Sequence, residues 1–326
     1  MRTPICIAAT ALACLVGPAG LPAAEIAAKV PRVGILLLEP RYPGDRADTI
    51  ARALHALGHA SDKIVLDVRS AEWSGERLNQ LASELVASRP DVIIAVTNVA
   101  GFAAKKATTT VPIVVTGMHA AVETGLVRSL ARPGGNVTGV ETLAPALDAK
   151  RLQFLREIAP RLTRLGVVYN HEDPGARFHL QAVREAARVL RVEVTTLGVT
   201  QPADFDRVLG ANGTPAVDAV MTFTDRLTGL NWARIGAFAH KHRLPTVCEF
   251  RFLAHAGCLI TYGPSLDDLF NTAAAQADRI LKGAKPADMP VEQVSRFELV
   301  VNQRTARAIG ITVPPDLMLR ANEVIE

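Results

Sequence analysis

Short continuous apolar runs, each followed by a stretch with helical spacing, constrain this chain more than any other feature. Val30 to Leu38 (VPRVGILLL) is the first run, and Asp45 to Leu57 follows it with Ile50, Leu54 and Leu57 on one helical face and Gly58 as a stop. A strand that is apolar on both sides must be covered on both sides, which is the condition met in a parallel sheet flanked by helices. The pattern repeats as strand Ile64 to Val68, helix Ser74 to Ser88, strand Asp91 to Val96, helix Val99 to Thr108 and strand Pro112 to Thr116. Such alternation predicts right-handed crossovers and a parallel sheet.

A turn at Arg132-Pro133-Gly134-Gly135 and a short strand, Val137 to Val140, lead into a second run. Helix Leu147 to Ile158, strand Leu165 to Tyr169, helix Ala176 to Leu190 and strand Val192 to Leu197 come first. Helix Pro202 to Leu209, strand Val217 to Phe223, helix Leu227 to His242 and strand Thr246 to Glu249 continue it. The tail adds strand Cys258 to Tyr262, a long helix over Ser265 to Lys282, a connector from Lys285 to Pro290 and strand Phe297 to Val301. A chain of 326 residues suits two domains of ordinary size. The expected fold class is therefore α/β, with two Rossmann-like lobes whose parallel sheets are joined by several crossings of one hinge.

The first residues have the composition of an export signal over 1–28. Arg2 supplies the positive start, Ile5 to Val16 the apolar region, and Pro18 to Ala24 the small residues before a cleavage region between Ala23 and Ala28. Ala11-Leu12-Ala13-Cys14 offers an alternative, a lipobox with the lipid on Cys14. Gly17, Pro18, Gly20 and Pro22 interrupt the segment before the roughly 20 apolar residues that a span needs. The expected location is periplasmic, with lobe one formed by 29–144 and 256–284 and lobe two by 145–255 and 285–326. Cys248 and Cys258 either pair in that oxidising compartment or pack as two small hydrophobes.

Several function classes are disfavoured. The net charge of +4, from 36 Lys and Arg against 32 Asp and Glu, is spread without a basic block, so nucleic acid is not an expected partner. Glu39-Pro40-Arg41-Tyr42-Pro43-Gly44 after the first strand is neither a dinucleotide fingerprint nor a phosphate loop, and there is no G-x-S-x-G elbow. A two-lobe regulator would begin with a helix-turn-helix rather than an export signal. His55, His59, His240 and His242 fall on helices without metal-ligand spacing and are expected to be solvated, so neither metal nor cofactor is expected. An extracytoplasmic α/β enzyme acting on a small polar substrate is the alternative from another class.

In open α/β sheets, ligands sit beyond the carboxyl ends of the strands. Those ends place Tyr42, Thr97, Asn98, Met118 and His119 on one wall of a cleft, and Asn170, Asp225, Glu249 and Phe250 on the other, with Tyr262 at a later strand end. Thr97-Asn98, at a helix start, can receive a carboxylate or cap the helix. Asp225 can accept from a ligand ammonium or cap the helix that follows. Tyr42, Phe250 and Tyr262 offer aromatic faces, Met118 an adaptable apolar one and His119 a polar one. Arg41 and Arg251 are the nearest cations.

Ser129 to Gly139 (SLARPGGNVTG) followed by K-R-L-Q-F-L at Lys150 to Leu155 resembles the corresponding stretch of ABC-transporter substrate-binding proteins of the tryptophan/tyrosine type. The resemblance extends to Ala104 to Val114, Lys241 to Pro245, Tyr262 to Leu269 and Arg279 to Gln293. Phe297 to Asn302, Ala308 to Pro315 and Leu319 to Ile325 continue it. It implies a type I periplasmic-binding fold and an exported, non-catalytic monomer that closes on an amino acid or related carboxylate. It further implies partnership with an ABC permease and its ATPase, and contact with the membrane only through them or a lipid on Cys14. The chain departs from the family at Gly117-Met118-His119-Ala120-Ala121, where a Gly-Asp-Pro-like loop is usual, and its first loop is shorter.

Overall fold

The computed structural model describes residues 30–39, 41, 46–72, 74–142, 144–173, 175–210, 217–223 and 225–326. The expected signal, its cleavage region and the Cys14 lipobox lie outside the described residues, as does Tyr42.

Strands β1 (Arg32–Leu37), β2 (Val65–Ser70), β3 (Val92–Val96), β4 (Ile113–Met118) and β5 (Val137–Glu141) run parallel in the order β5-β4-β3-β1-β2. Strands β6 (Arg164–Asn170), β7 (Glu193–Val199), β8 (Ala219–Thr222), β9 (Thr246–Cys248) and β10 (Ile260–Pro264) form a second parallel set in the order β10-β9-β8-β6-β7. The central strand β3 is buried at every position, whereas edge strands β2 and β7 are half-exposed. That difference follows the covering helices. Val33, Ile35 and Leu37 pack with Ile50 and Leu54 of helix Arg46–Ala56 on one side of the first sheet, while Leu36 and Ile93 pack with Leu78, Leu85 and Ala104 on the other. In the second lobe, Val167 and Met221 meet Leu155 and Val183, and Val168 and Val220 meet Phe205 and Ile235.

The chain crosses between lobes three times, after β5, after β10 and after β11 (Glu292–Gln293), which pairs with β5. The returning strand β12 (Phe297–Asn302) enters the second sheet from the crossing end and so lies antiparallel to β10, while β13 (Glu323–Ile325) is parallel to β12. Sheet membership therefore differs from the expected boundaries. The segment 256–284 is divided, because β10 belongs to the second sheet while helix Leu266–Leu281 buries Leu269, Phe270 and Ala273 against the first. Likewise β11 joins the first sheet, whereas the pattern of 285–326 predicts the second lobe. An apolar face shows that an element must be covered, not which sheet covers it. The helix expected over Leu227 to His242 breaks at Asn231 into Arg226–Leu230 and Trp232–Lys241.

Two details tie the first crossing to its sequence. Gly139 has φ +150°, and a Cβ there would lie 1.9 Å from the Val115 carbonyl oxygen, so the N-V-T-G strand can approach β4 only with glycine. Thr138 Oγ1 donates to the Met289 carbonyl oxygen at 2.9 Å, fastening β5 to the segment that returns near the third crossing.

Cys248 and Cys258 form a disulfide with their Cα atoms 6.6 Å apart, closing the loop that leaves β9 and enters β10. Constraining a loop of this length in the unfolded chain contributes about 3 kcal/mol. Cys258→Ser should lower unfolding stability by about that amount, read from urea denaturation, and leave the far-ultraviolet circular dichroism unchanged.

Candidate ligand site between the lobes

The carboxyl ends of β1, β3 and β4 carry the loops of the first wall. At the end of β3 the chain turns directly into helix Thr97–Ala107. Thr97 takes φ +76°, a costly conformation for a β-branched residue. The helix has no side-chain cap, because its N-cap residue is Val96, and the Asn98 amide in its first turn is turned to the loop after β4. Its Nδ2 donates to the His119 carbonyl oxygen at 2.8 Å, and its Oδ1 accepts from the His119 N–H at 3.2 Å. Asn98 thus shapes the loop after β4, which Gly117 (φ +73°) and Ala120 (φ +47°) turn tightly. Met118 is wholly buried in the first-lobe core, and its carbonyl oxygen accepts from the Thr142 N–H at 2.7 Å.

On the second wall, Asn170 at the end of β6 donates from Nδ2 to Asp225 Oδ2 at 2.6 Å. Asp225 also caps helix Arg226–Leu230, its Oδ1 accepting from the Thr228 N–H at 2.9 Å in a reciprocal capping box. Burial pushes the Asp225 carboxyl above its ordinary value, against the bonds from Thr228 and Asn170 that favour the charged form. The groups acting on it most strongly are Thr228, Asn170 and Asp173, none of them a cation. A positively charged group arriving beside Asp225 would relieve that imbalance.

Beneath this wall lies a buried ionic network that the sequence did not reveal. Arg151 donates from Nη1 to Asp148 and from Nε to the Tyr262 carbonyl oxygen at 2.7 Å, and its Nη2 stands 3.5 Å from Glu249 Oε1. His179 Nδ1 shares a hydrogen bond with the other Asp148 oxygen at 2.7 Å. Burial alone would lower the His179 value, but the charge and hydrogen bond of Asp148 outweigh it and raise it. Burial pushes Glu249 up, against the pull of Arg151. Among the described residues, Arg151 Nη2 has no hydrogen-bond partner, and neither does His119 Nε2.

The two walls meet at His119. Its ring lies 5.5 Å from that of His179, edge to face, and its Nε2 is 3.9 Å from Asp173 Oδ1. Tyr169, Phe223 and His179 form an aromatic cluster on the same side of the second sheet, with His179 and Phe223 centroids 4.8 Å apart. Phe250 stacks on Phe252 at 6.0 Å, and Tyr262 packs between Phe154 at 5.0 Å and Phe297 at 6.0 Å, its side chain committed to the core. The mouth cations are paired, Arg41 with Asp48 and Arg251 with Glu323. His59, expected to be solvated, shares a hydrogen bond with Asp278 at 2.8 Å. A groove of about 520 Å³ lies at the opposite, amino end of β9, between Trp232–Lys241 and Gln303–Ile309, and contains none of these residues.

A sequence model described as "ABC transporter substrate binding protein" matches residues 45–325. The chain belongs to that family. A tyrosine-binding protein of Clostridioides difficile is 25% identical over 285 residues, covering 87% of this chain and 82% of that one. An ABC domain from Streptococcus pneumoniae solved in complex with L-Trp superposes with a TM-score of 0.84 at 23% identity, covering 90% of this chain and 99% of that one. The ligand-free, open structure of CD0873 from Clostridium difficile gives 0.69 at 24% identity, covering 91% and 99%. The shared fold accounts for the two lobes and the crossings, and the family is that of the substrate-binding component of ABC transporters.

Removing one member of a buried charge network leaves the others uncompensated. Arg151→Met should therefore destabilise the protein by about 3 to 5 kcal/mol, measured as a shift in the urea midpoint.

Proposed function

We propose that this substrate-binding protein is exported and closes its lobes on an amino acid, which it delivers to a membrane permease driven by a separate ATPase. The observation that carries the amino-acid assignment is Asp225, a desolvated carboxylate held by neutral partners and missing a cation. A ligand ammonium supplies one. The uncapped start of helix Thr97–Ala107 offers N–H groups to the ligand carboxylate, with the Asn98 amide holding the neighbouring loop. Together they form a clamp for a zwitterion with one pole on each lobe.

The relatives that bind tyrosine and tryptophan support this class of ligand. The better superposition on the L-Trp complex than on the ligand-free, open relative, at nearly equal identity, supports lobes brought together as for a bound solute. Closure would be stabilised because the ligand touches both walls only when they meet. The disulfide between Cys248 and Cys258 fits an oxidising compartment and so supports export.

Thermal-shift and calorimetric titration of the mature protein with the common L-amino acids should identify at least one that raises the melting temperature. Asp225→Ala should weaken its binding by roughly 10- to 100-fold, the equivalent of one charge-assisted hydrogen bond. No shift with any amino acid, or unchanged affinity in Asp225→Ala, would overturn the zwitterion clamp.

A further inference from the structure

His119 stands at the tip of the loop after β4, against the other lobe. A Cβ built on Gly175 would lie 2.0 Å from His119 Nε2 and 2.4 Å from its Cδ2. The imidazole of one lobe therefore occupies the space that any side chain at position 175 of the other lobe would fill. Gly175 itself has φ −78° and ψ −26°, a conformation open to every residue, so its backbone gives no reason for glycine. The requirement comes from across the cleft. Asp173 and His179 complete the socket, at 3.9 Å from Nε2 and 5.5 Å between rings, and the Asn98 amide grips the His119 backbone from behind.

We propose that His119 and its socket at Asp173, Gly175 and His179 are a latch that holds the lobes closed while the imidazole is neutral and releases them when it is protonated. The latch regulates the same cleft that the proposed function uses, and rests on that function only for its biological purpose. The charged groups facing His119 are Asp173, His179 and Asp148 from the second lobe, with Glu141 on its own side accepting from the Ala121 N–H at 3.1 Å. Burial is the largest influence and, helped by the nearby His179 charge, brings His119 down from 6.5 to about 4 despite the pull of Asp173 and Asp148. His119 thus binds its proton less readily closed than open, where the ring is solvated and titrates near its ordinary value. Closure is fully supported above about pH 6.5 and loses this support as the pH falls toward about 4. Asp225 and Glu249, raised by burial, would act in the opposite direction, so the His119 contribution is the difference between wild type and a His119 variant.

The test needs no ligand. Nitroxide labels on Glu76→Cys and Glu185→Cys, exposed on helices of the two lobes, report the interlobe distance of the ligand-free protein by pulsed electron resonance. Between pH 7.5 and 5.5 the closed-to-open ratio should fall about tenfold further in wild type than in His119→Gln. Gly175→Ala should shift the distribution to the open distance at every pH with an unchanged circular dichroism spectrum, and adding His119→Ala to it should return the distribution to that of His119→Ala alone by emptying the socket. Identical distributions for wild type and Gly175→Ala at pH 7.5, or the same pH profile for wild type and His119→Gln, would overturn the latch. Because the amino-acid panel plays no part, failure of the latch and failure of the zwitterion clamp are separate results.

Discussion

Arg151 is 1% exposed and ties together parts of the chain that lie far apart in sequence. It stands on the helix just past the first crossing, donates to the Tyr262 carbonyl oxygen just before the second, and reaches toward Glu249 at the end of β9. Two of the three crossings thus share one buried cation. A guanidinium suits this position because it offers donors in several fixed directions and stays charged when desolvated. Asp148 supplies the main counter-charge and passes its second oxygen to His179, which carries the network to the cleft wall.

That arrangement separates rigid from movable parts of the molecule. Asp148, Arg151, His179, Glu249, Asn170 and Asp225 all belong to the second lobe, so their mutual hydrogen bonds need not break when the lobes part. Across the cleft, His119 fills the space beside Gly175 that a Cβ there would need. A hinge protein can respond to a small solute only when closed and open states differ by a few kcal/mol, and a firm second wall meeting one adjustable tip fits that balance.

Much of the fold was legible because covered parallel strands read as unbroken apolar runs, as in VPRVGILLL and VMTF. The edge additions β11 and β13, of two and three residues, carry too little pattern to be seen. The cleft residues were found by position rather than by chemistry. Asn170 and Asp225 follow strand ends, and the structure joins them at 2.6 Å. Asn98 was found by the same rule, but its amide serves the His119 backbone. In sequence, Asp148 and Arg151 are two charges of one helix at i, i+3 spacing, a pattern as common on solvated faces as in buried pairs. His179 was hidden in the buried stripe of its helix beside Leu180 and Val183.

The sequence by itself determined the two strand-helix series, the turn chemistry at Arg132 to Gly139 and the family, because these rest on local periodicity and on backbone conformations that particular residues favour or exclude. Only the tertiary structure decided which sheet β10 and β11 join, that Cys248 pairs with Cys258, and that Gly175 is glycine for the sake of His119. Each of these is a relation between residues brought together by crossings of the hinge, and burial gives it its energy by removing water from groups that no linear pattern places side by side.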